Sequence, residues 1–186
     1  MKVELHDWVE YTDYWMDDSI SNGMSVAAFD LVSGRLAGAF TVKDTLFCPK
    51  GFHEKYSSNE EKKLTFVKNF CWDLDAEATK IMPELGESGK AADLWLLGVH
   101  PDFRGNKIAY FLTKAALRLI KKAGFKYATI EALSAFASKI ALAHNFTAVQ
   151  SVKFSDWLWK GKPVYIEKPP HGTATFWVKD LEELEN

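Results

Sequence analysis

Apolar positions along the chain change period several times, and each change marks an element. Residues 24 to 43, MSVAAFDLVSGRLAGAFTVK, hold two β-compatible runs parted by Ser33-Gly34, a turn signal, so the segment predicts a hairpin. The spacing then turns helical: Leu64, Val67, Phe70, Cys71, Leu74, Ala78 and Ile81 share a face that Trp72 extends, Asn59 is placed to cap the helix and Pro83 to end it. Leu94 to Val99 is apolar on both faces, as a central strand is. Next, Ile108, Leu112, Ala115, Ala116, Leu119 and Ala123 make one helical stripe opposite Lys114, Arg118, Lys121 and Lys122, and Gly124 stops it. Phe125 to Leu133 reads as a strand and Ser134 to His144 as a short serine-capped helix. Strands near Ala148 to Phe154 and Thr173 to Lys179 close the chain around the loop DWLWKGKPVYIEKPPHG. The first 23 residues read as a charge-rich, fraying terminus. The predicted order is β-β-α-β-α-β-α-β-β, with no repeat and no linker, hence one domain over residues 1–186.

Composition narrows the class of protein. A chain of 186 residues, 47% apolar, can bury a sizeable core without metal or disulfide support. A net charge of −2 and a pI near 6.2 argue against a nucleic-acid partner and are compatible with a cationic small substrate. Cys48 and Cys71 are too few for a disulfide framework and lack metal-ligand spacing, so no metal is expected and the thiols read as reduced in a cytosolic setting. With no signal-like N-terminus and no stretch of transmembrane length, a cytoplasmic protein without a membrane partner is expected. Nothing in the pattern specifies an oligomeric state.

Candidate chemistry concentrates in residues 94 to 124, where an apolar strand enters a Pro/Gly-containing turn that opens into the amphipathic helix. Unpaired N–H groups at a helix N-terminus, on the positive end of its dipole, can hold a phosphate or pyrophosphate; an ordinary strand-to-helix connection is the alternative. Arg104-Gly105-Asn106-Lys107-Ile108-Ala109 fits neither the dinucleotide fingerprint nor the Walker loop. It resembles the acyl-CoA loop [QR]-x-x-G-x-[GA] of the GCN5-related N-acetyltransferases, with Arg104 and Ala109 at its ends and Lys107 where the family usually has its middle glycine. The tail pattern Phe154-Ser155-Asp156-Trp157, Gly161, Val164-Tyr165 and Pro170-His171, together with the helical insertion before the central strand, is similar to the insect-type arylalkylamine (dopamine) N-acetyltransferases over residues 24 to 179.

The resemblance implies an α/β acetyltransferase fold: a mixed, mostly antiparallel sheet with helices on both faces and a shortened N-terminal strand/helix unit. It implies acetyl transfer from acetyl-CoA, as co-substrate, to a small primary amine, arylalkylamines first. Polyamines or amino acids are alternative acceptors, and a catalytically inactive acyl-CoA-binding protein is an alternative of another class. Arg104, Gly105, Asn106, Lys107, Ile108 and Ala109 would cradle the diphosphate, and the backbone of Leu97, Gly98 and Val99 would supply the strand edge and oxyanion contact if that strand splays from Tyr127 to Leu133. Gly98 either makes room for the cofactor or is a bulge or packing glycine. Lys107 either adds charge toward the phosphates or crowds the backbone approach, and Arg104 meets a phosphate or pairs only with Asp102 or solvent.

An alkylamine must lose a proton before it attacks, and His100 and His171 are the candidate acceptors, against the alternatives of a solvated turn residue and a loop-ordering one. The family's usual tyrosine acid corresponds to Ala141. The serines of the insect-type enzymes correspond to Leu133 and Ala137, one residue before Ser134 and Ser138, which are the candidate donors to the leaving thiolate; an N-cap and a solvated hydroxyl are the alternative roles. Trp157, Trp159 and Tyr165 would stack on an aryl ring or hold an ammonium, or else pack their loop onto the sheet. Glu4, Glu10, Asp13, Asp17 and Asp18 do not match the family's N-terminal acidic motif.

Overall fold

The computed structural model describes residues 4–50, 52, 56, 64–165 and 168–184. Its sheet is built from β1 (Val26–Phe29), β2 (Leu36–Asp44), β3 (Ala91–Val99), β4 (Tyr127–Ala132), β5 (Thr147–Lys153) and β8 (Thr173–Asp180), in the order β1-β2-β3-β4-β8-β5. Two-residue strands β6 (Leu158–Trp159) and β7 (Lys162–Pro163) form a separate small hairpin within the predicted loop. Every neighbouring pair is antiparallel except β3 and β4. The helices are α1 (Leu5–Ser21), α2 (Thr65–Ile81), α3 (Ile108–Lys122) and α4 (Ala135–Ala143). The predicted cap Asn59 lies outside the described residues.

The predicted hairpin forms because the turn satisfies itself: Gly34 N–H donates to the Asp30 carbonyl at 2.8 Å, and the Asp30 carboxylate accepts from the Ser33 amide at 2.7 Å. Leu112, Ala116, Leu117 and Ile120 of α3 then pack on Phe40, Val42, Leu94 and Ile130 to make one core. On the opposite face, Phe70, Leu74 and Ala78 of α2 cover Tyr127, Phe176 and Val178. Ile81, expected on the buried face of α2, is 57% exposed because it ends the helix, beyond the sheet it covers.

The N-terminal expectation is corrected. Residues 5–21 form a docked helix: the Asp7 carboxylate accepts the Glu4 amide at 2.8 Å, and Tyr11, Trp15 and Ser19, each four apart, turn one stripe inward. Trp15 packs its ring 4.7 Å from Phe52 and 5.4 Å from Trp95. Among the described residues a helix, and no strand, thus precedes β1.

Strands β3 and β4 pair only at Ala91–Tyr127, Ala92–Ala128 and Asp93–Thr129. Beyond Asp93, β3 continues on β2 alone and β4 on β8 alone. A register shift between Thr41 and Val42 lies opposite Trp95, and such a bulge bends and twists its strand, carrying the end of β3 away from β4. The parallel neighbours therefore open into a gap.

Candidate functional site

The turn after β3 is held by bonds among residues 100–104 and to Ala37 and Arg35, and the amides that follow it are free. His100 N–H donates to Ala37, the His100 Nδ1 accepts the Asp102 amide at 3.2 Å, and Phe103 and Arg104 amides bond back to His100 and Pro101. Arg35 reaches Asp102 Oδ2 at 2.7 Å, and this guanidinium bond holds the Asp102 carboxyl below its usual range. Arg104, whose expected partner Asp102 pairs with Arg35, makes no side-chain hydrogen bond or ion pair among the described residues. From Gly105 to Tyr110, no backbone N–H finds a protein acceptor among the described residues; the next, Phe111, donates to Lys107 at 3.1 Å. Gly105 at φ 85° and Lys107 at φ 56° are both left-handed, and alternating such residues with right-handed ones turns successive amides into one concavity. For Lys107 that conformation costs about 1 kcal/mol.

Between the diverging strands lies a slot of about 250 Å³, walled by Leu96 and Leu97 on one side and Ile130 and Glu131 on the other, with Ser134 and Ala137 of α4 at its end. A Cβ placed on Gly98 would meet nothing within 4 Å. The close-packed glycine is Gly38, whose added Cβ would fall 2.8 Å from the Gly98 carbonyl and 3.3 Å from Leu112. The slot thus has an unpaired strand edge, and the free amides follow the same end of that strand in the chain, which suits an extended thioester chain ending in a diphosphate.

A second cavity, of about 320 Å³, lies on the α1/α2 face and shares Trp95 and Glu131 with the slot. Its wall is aromatic, from Tyr11, Trp15, Phe47 and Trp72, and acidic, from Asp75, Asp93 and Glu131, with Lys43 as the one cation among its described lining residues. Lys43 Nζ sits 3.2 Å from Asp93 and 5.1 Å from the Trp15 ring centroid. Burial would lower the Lys43 pKa, but Asp93 and Glu131 more than offset that and raise it. Burial, then the Asp93 charge, pushes Glu131 up to about 8, and the same two causes lift Asp75 to about 6. The Cys71 thiol beside Glu131 is pushed well up by burial and by that carboxylate.

The other residues singled out in the sequence fall around these cavities. Ser134 lines the slot and also caps α4, its Oγ accepting the Ala137 amide at 3.2 Å; Ser138 is half-buried and outside the lining. His171 Nδ1 accepts the Ala135 amide at 3.2 Å, fixing the start of α4, and His100 caps its turn. Neither histidine lines either cavity among the described residues. Trp157 donates its indole N–H to Asp73 of α2 at 2.9 Å and stacks on Trp159, while Tyr165 packs on Phe70 of α2 and on Phe154; none of the three is among the lining residues of either cavity. The group missed in the sequence is Lys43, Asp75, Asp93 and Glu131. Its signal was present: Lys43, Asp93 and Glu131 interrupt apolar strands, where a charge is costly unless it has a partner or a task.

A sheet parted between two parallel strands, with free amides at the start of the following helix, is the architecture of the acetyltransferase (GNAT) fold, and this chain has that fold. No family model and no curated protein matches the sequence. Among solved structures, arylalkylamine N-acetyltransferase 2 from Aedes aegypti superposes with a TM-score of 0.75 at 17% identity, over 97% of this chain and 81% of that one. The C-terminal condensation domain of Ebony, in complex with beta-alanyl-dopamine, gives 0.81 at 14% identity, over 97% and 83%. Drosophila melanogaster polyamine N acetyltransferase gives 0.74 at 16% identity, over 96% and 82%. At such identities the likeness is one of fold.

Proposed function

We propose that the protein transfers acetyl from acetyl-CoA to the nitrogen of a small primary amine, with arylalkylamines the preferred acceptors. The observation that carries this reading is the run of unengaged amides from Gly105 to Tyr110, in the connection that follows the end of β3 parted from β4. Those amides, with Arg104 and Lys107, take the diphosphate. The unpaired edge of β3 at Leu97, Gly98 and Val99 takes the pantetheine amides and the thioester oxygen. Ser134, at the end of the slot, is placed to give a proton to the leaving thiolate, and His171 positions it by holding the first turn of α4. Arylalkylamines rank first because Trp15, Trp72 and Trp95 form much of the second cavity's wall; the three carboxylates in the same wall favour a polyamine as the second reading.

Calorimetry with acetyl-CoA, followed by a CoA-release screen of tyramine, dopamine, agmatine, spermidine and alanine, tests the proposal. Binding of acetyl-CoA and faster release with tyramine or dopamine are expected. No heat at saturating acetyl-CoA would overturn it, and binding without release for any amine would leave only an acyl-CoA-binding protein.

A further inference from the structure

The second cavity contains carboxylates from three elements, and they are not equivalent. Asp93 of β3 is occupied: it holds Lys43 at 3.2 Å through one oxygen and accepts Thr129 Oγ1 at 3.4 Å through the other. Asp75 of α2 lines the second cavity only. Glu131 of β4 faces both that cavity and the slot, so it stands between the two spaces that an amine and a thioester would enter. The groups facing it are Lys43 from β2, Asp93 from β3, Asp75 and Cys71 from α2 and Tyr11 from α1. Asp93 already holds the one cation among the described lining residues, so an incoming ammonium is the charge that would favour the ionised forms of Asp75 and Glu131. Trp15, only 6% exposed, contributes its ring to the same wall beside Lys43, and its indole N–H has no acceptor among the described residues.

From this geometry we infer that Glu131 is the group that takes the proton from the bound amine, a role for the sheet's interior and for neither histidine. The assignment rests on the acetyl-transfer reading above. In the step, R–NH₃⁺ gives one proton to the Glu131 carboxylate and becomes R–NH₂. Its lone pair forms the N–C bond to the thioester carbonyl, and the C–S bond breaks with its electrons on sulfur. Ser134 Oγ gives its proton to the thiolate and takes the second amine proton in return, and Glu131 returns the first to solvent, so the products are the amide, the free CoA thiol and one proton. The carboxyl's upward shift suits the task, because a base with a pKa near the working pH holds a proton firmly enough to take it from an ammonium.

The test compares wild type with Glu131→Gln and Glu131→Asp, using tyramine as the amine. First, tyramine binding without acetyl-CoA is followed by calorimetry at pH 7 in two buffers of different ionisation enthalpy. Wild type should release about half a proton or more per tyramine bound, because an arriving ammonium drives Glu131 to ionise, and E131Q should release none. Second, kcat/KM for tyramine should fall about 100-fold or more in E131Q and lose its acid limb, with part of both restored in E131D, while the acetyl-CoA Kd stays within about threefold. E131Q that keeps the proton release, or that stays within about threefold of wild type with the acid limb intact, would overturn Glu131 and leave the acetyltransferase reading standing. Wild type that binds no acetyl-CoA, or acetylates no amine, would overturn both.

Discussion

At the scale of single residues, the least ordinary feature is a carboxylate kept protonated inside a sheet. Burial and then the Asp93 charge push the Glu131 carboxyl from its ordinary 4.5 up to about 8, outweighing the opposite pull of Lys43. Between those two values the native state keeps a proton that the unfolded chain has lost. The native state therefore binds more protons there, and the free energy of unfolding must fall as pH rises through that window. Asp75, lifted from 3.8 to about 6, adds a slope of the same sign at the window's lower end. Glu131→Gln should flatten the upper part: wild type should lose on the order of 1–3 kcal/mol between pH 6 and pH 8.5, and E131Q much less, as read by urea unfolding at both values. An equal loss in both proteins would mean that Glu131 titrates as a solvated carboxylate. This residue was hard to find in the sequence, because its partners Tyr11, Lys43, Cys71, Asp75 and Asp93 come from four separate elements and no local spacing links them.

At the scale of elements, two glycines one register position apart across β2 and β3 divide structure from function. Gly38 is fixed by packing, since a Cβ there would press on the Gly98 carbonyl of the neighbouring strand and on Ile108 and Leu112 of α3. Gly98 has open space at the same point of its own backbone. Gly38→Ala should therefore cost about 1–3 kcal/mol through overpacking, while Gly98→Ala should change stability by less than about 0.5 kcal/mol and weaken acetyl-CoA binding instead. Urea unfolding and calorimetry on both variants measure the two quantities separately. Equal destabilisation by both would give Gly98 a packing role. Elements with a strong local signal were legible from the chain alone: the hairpin around Ser33-Gly34, the central strand, and α3 with its lysine-rich face all stand where the apolar pattern puts them. Helix α1 was not, because only Tyr11, Trp15 and Ser19 carry its buried stripe and acidic residues dominate the rest of its surface. Its order comes from distant aromatic partners, Phe52 and Trp95, which periodicity within seventeen residues cannot reveal.

At the scale of the whole molecule, the sheet is two half-sheets, β1-β2-β3 and β4-β8-β5, joined by three residue pairs at one end. Beyond Asp93 and Thr129 no strand pairing joins β3 to β4 among the described residues, and the gap is lined by Trp95 and Leu97 on one flank and Ile130 and Leu133 on the other. A ligand lying in that gap bonds to the edge of β3 and fills the space against β4, so it joins the two halves as well as occupying a site. Binding to the native state alone stabilises it by about 2.7 kcal/mol at a hundredfold excess over Kd, and the gain appears where the native state opens most easily. Hydrogen exchange with saturating acetyl-CoA should therefore slow about tenfold or more at residues 94–99 and 130–134, as well as at the cradle amides 105–110. Protection at the cradle alone would place a diphosphate on α3 with its acyl arm outside the sheet. In that arrangement the thioester would lie away from Glu131 and Ser134, and the parted strands would have no part in catalysis.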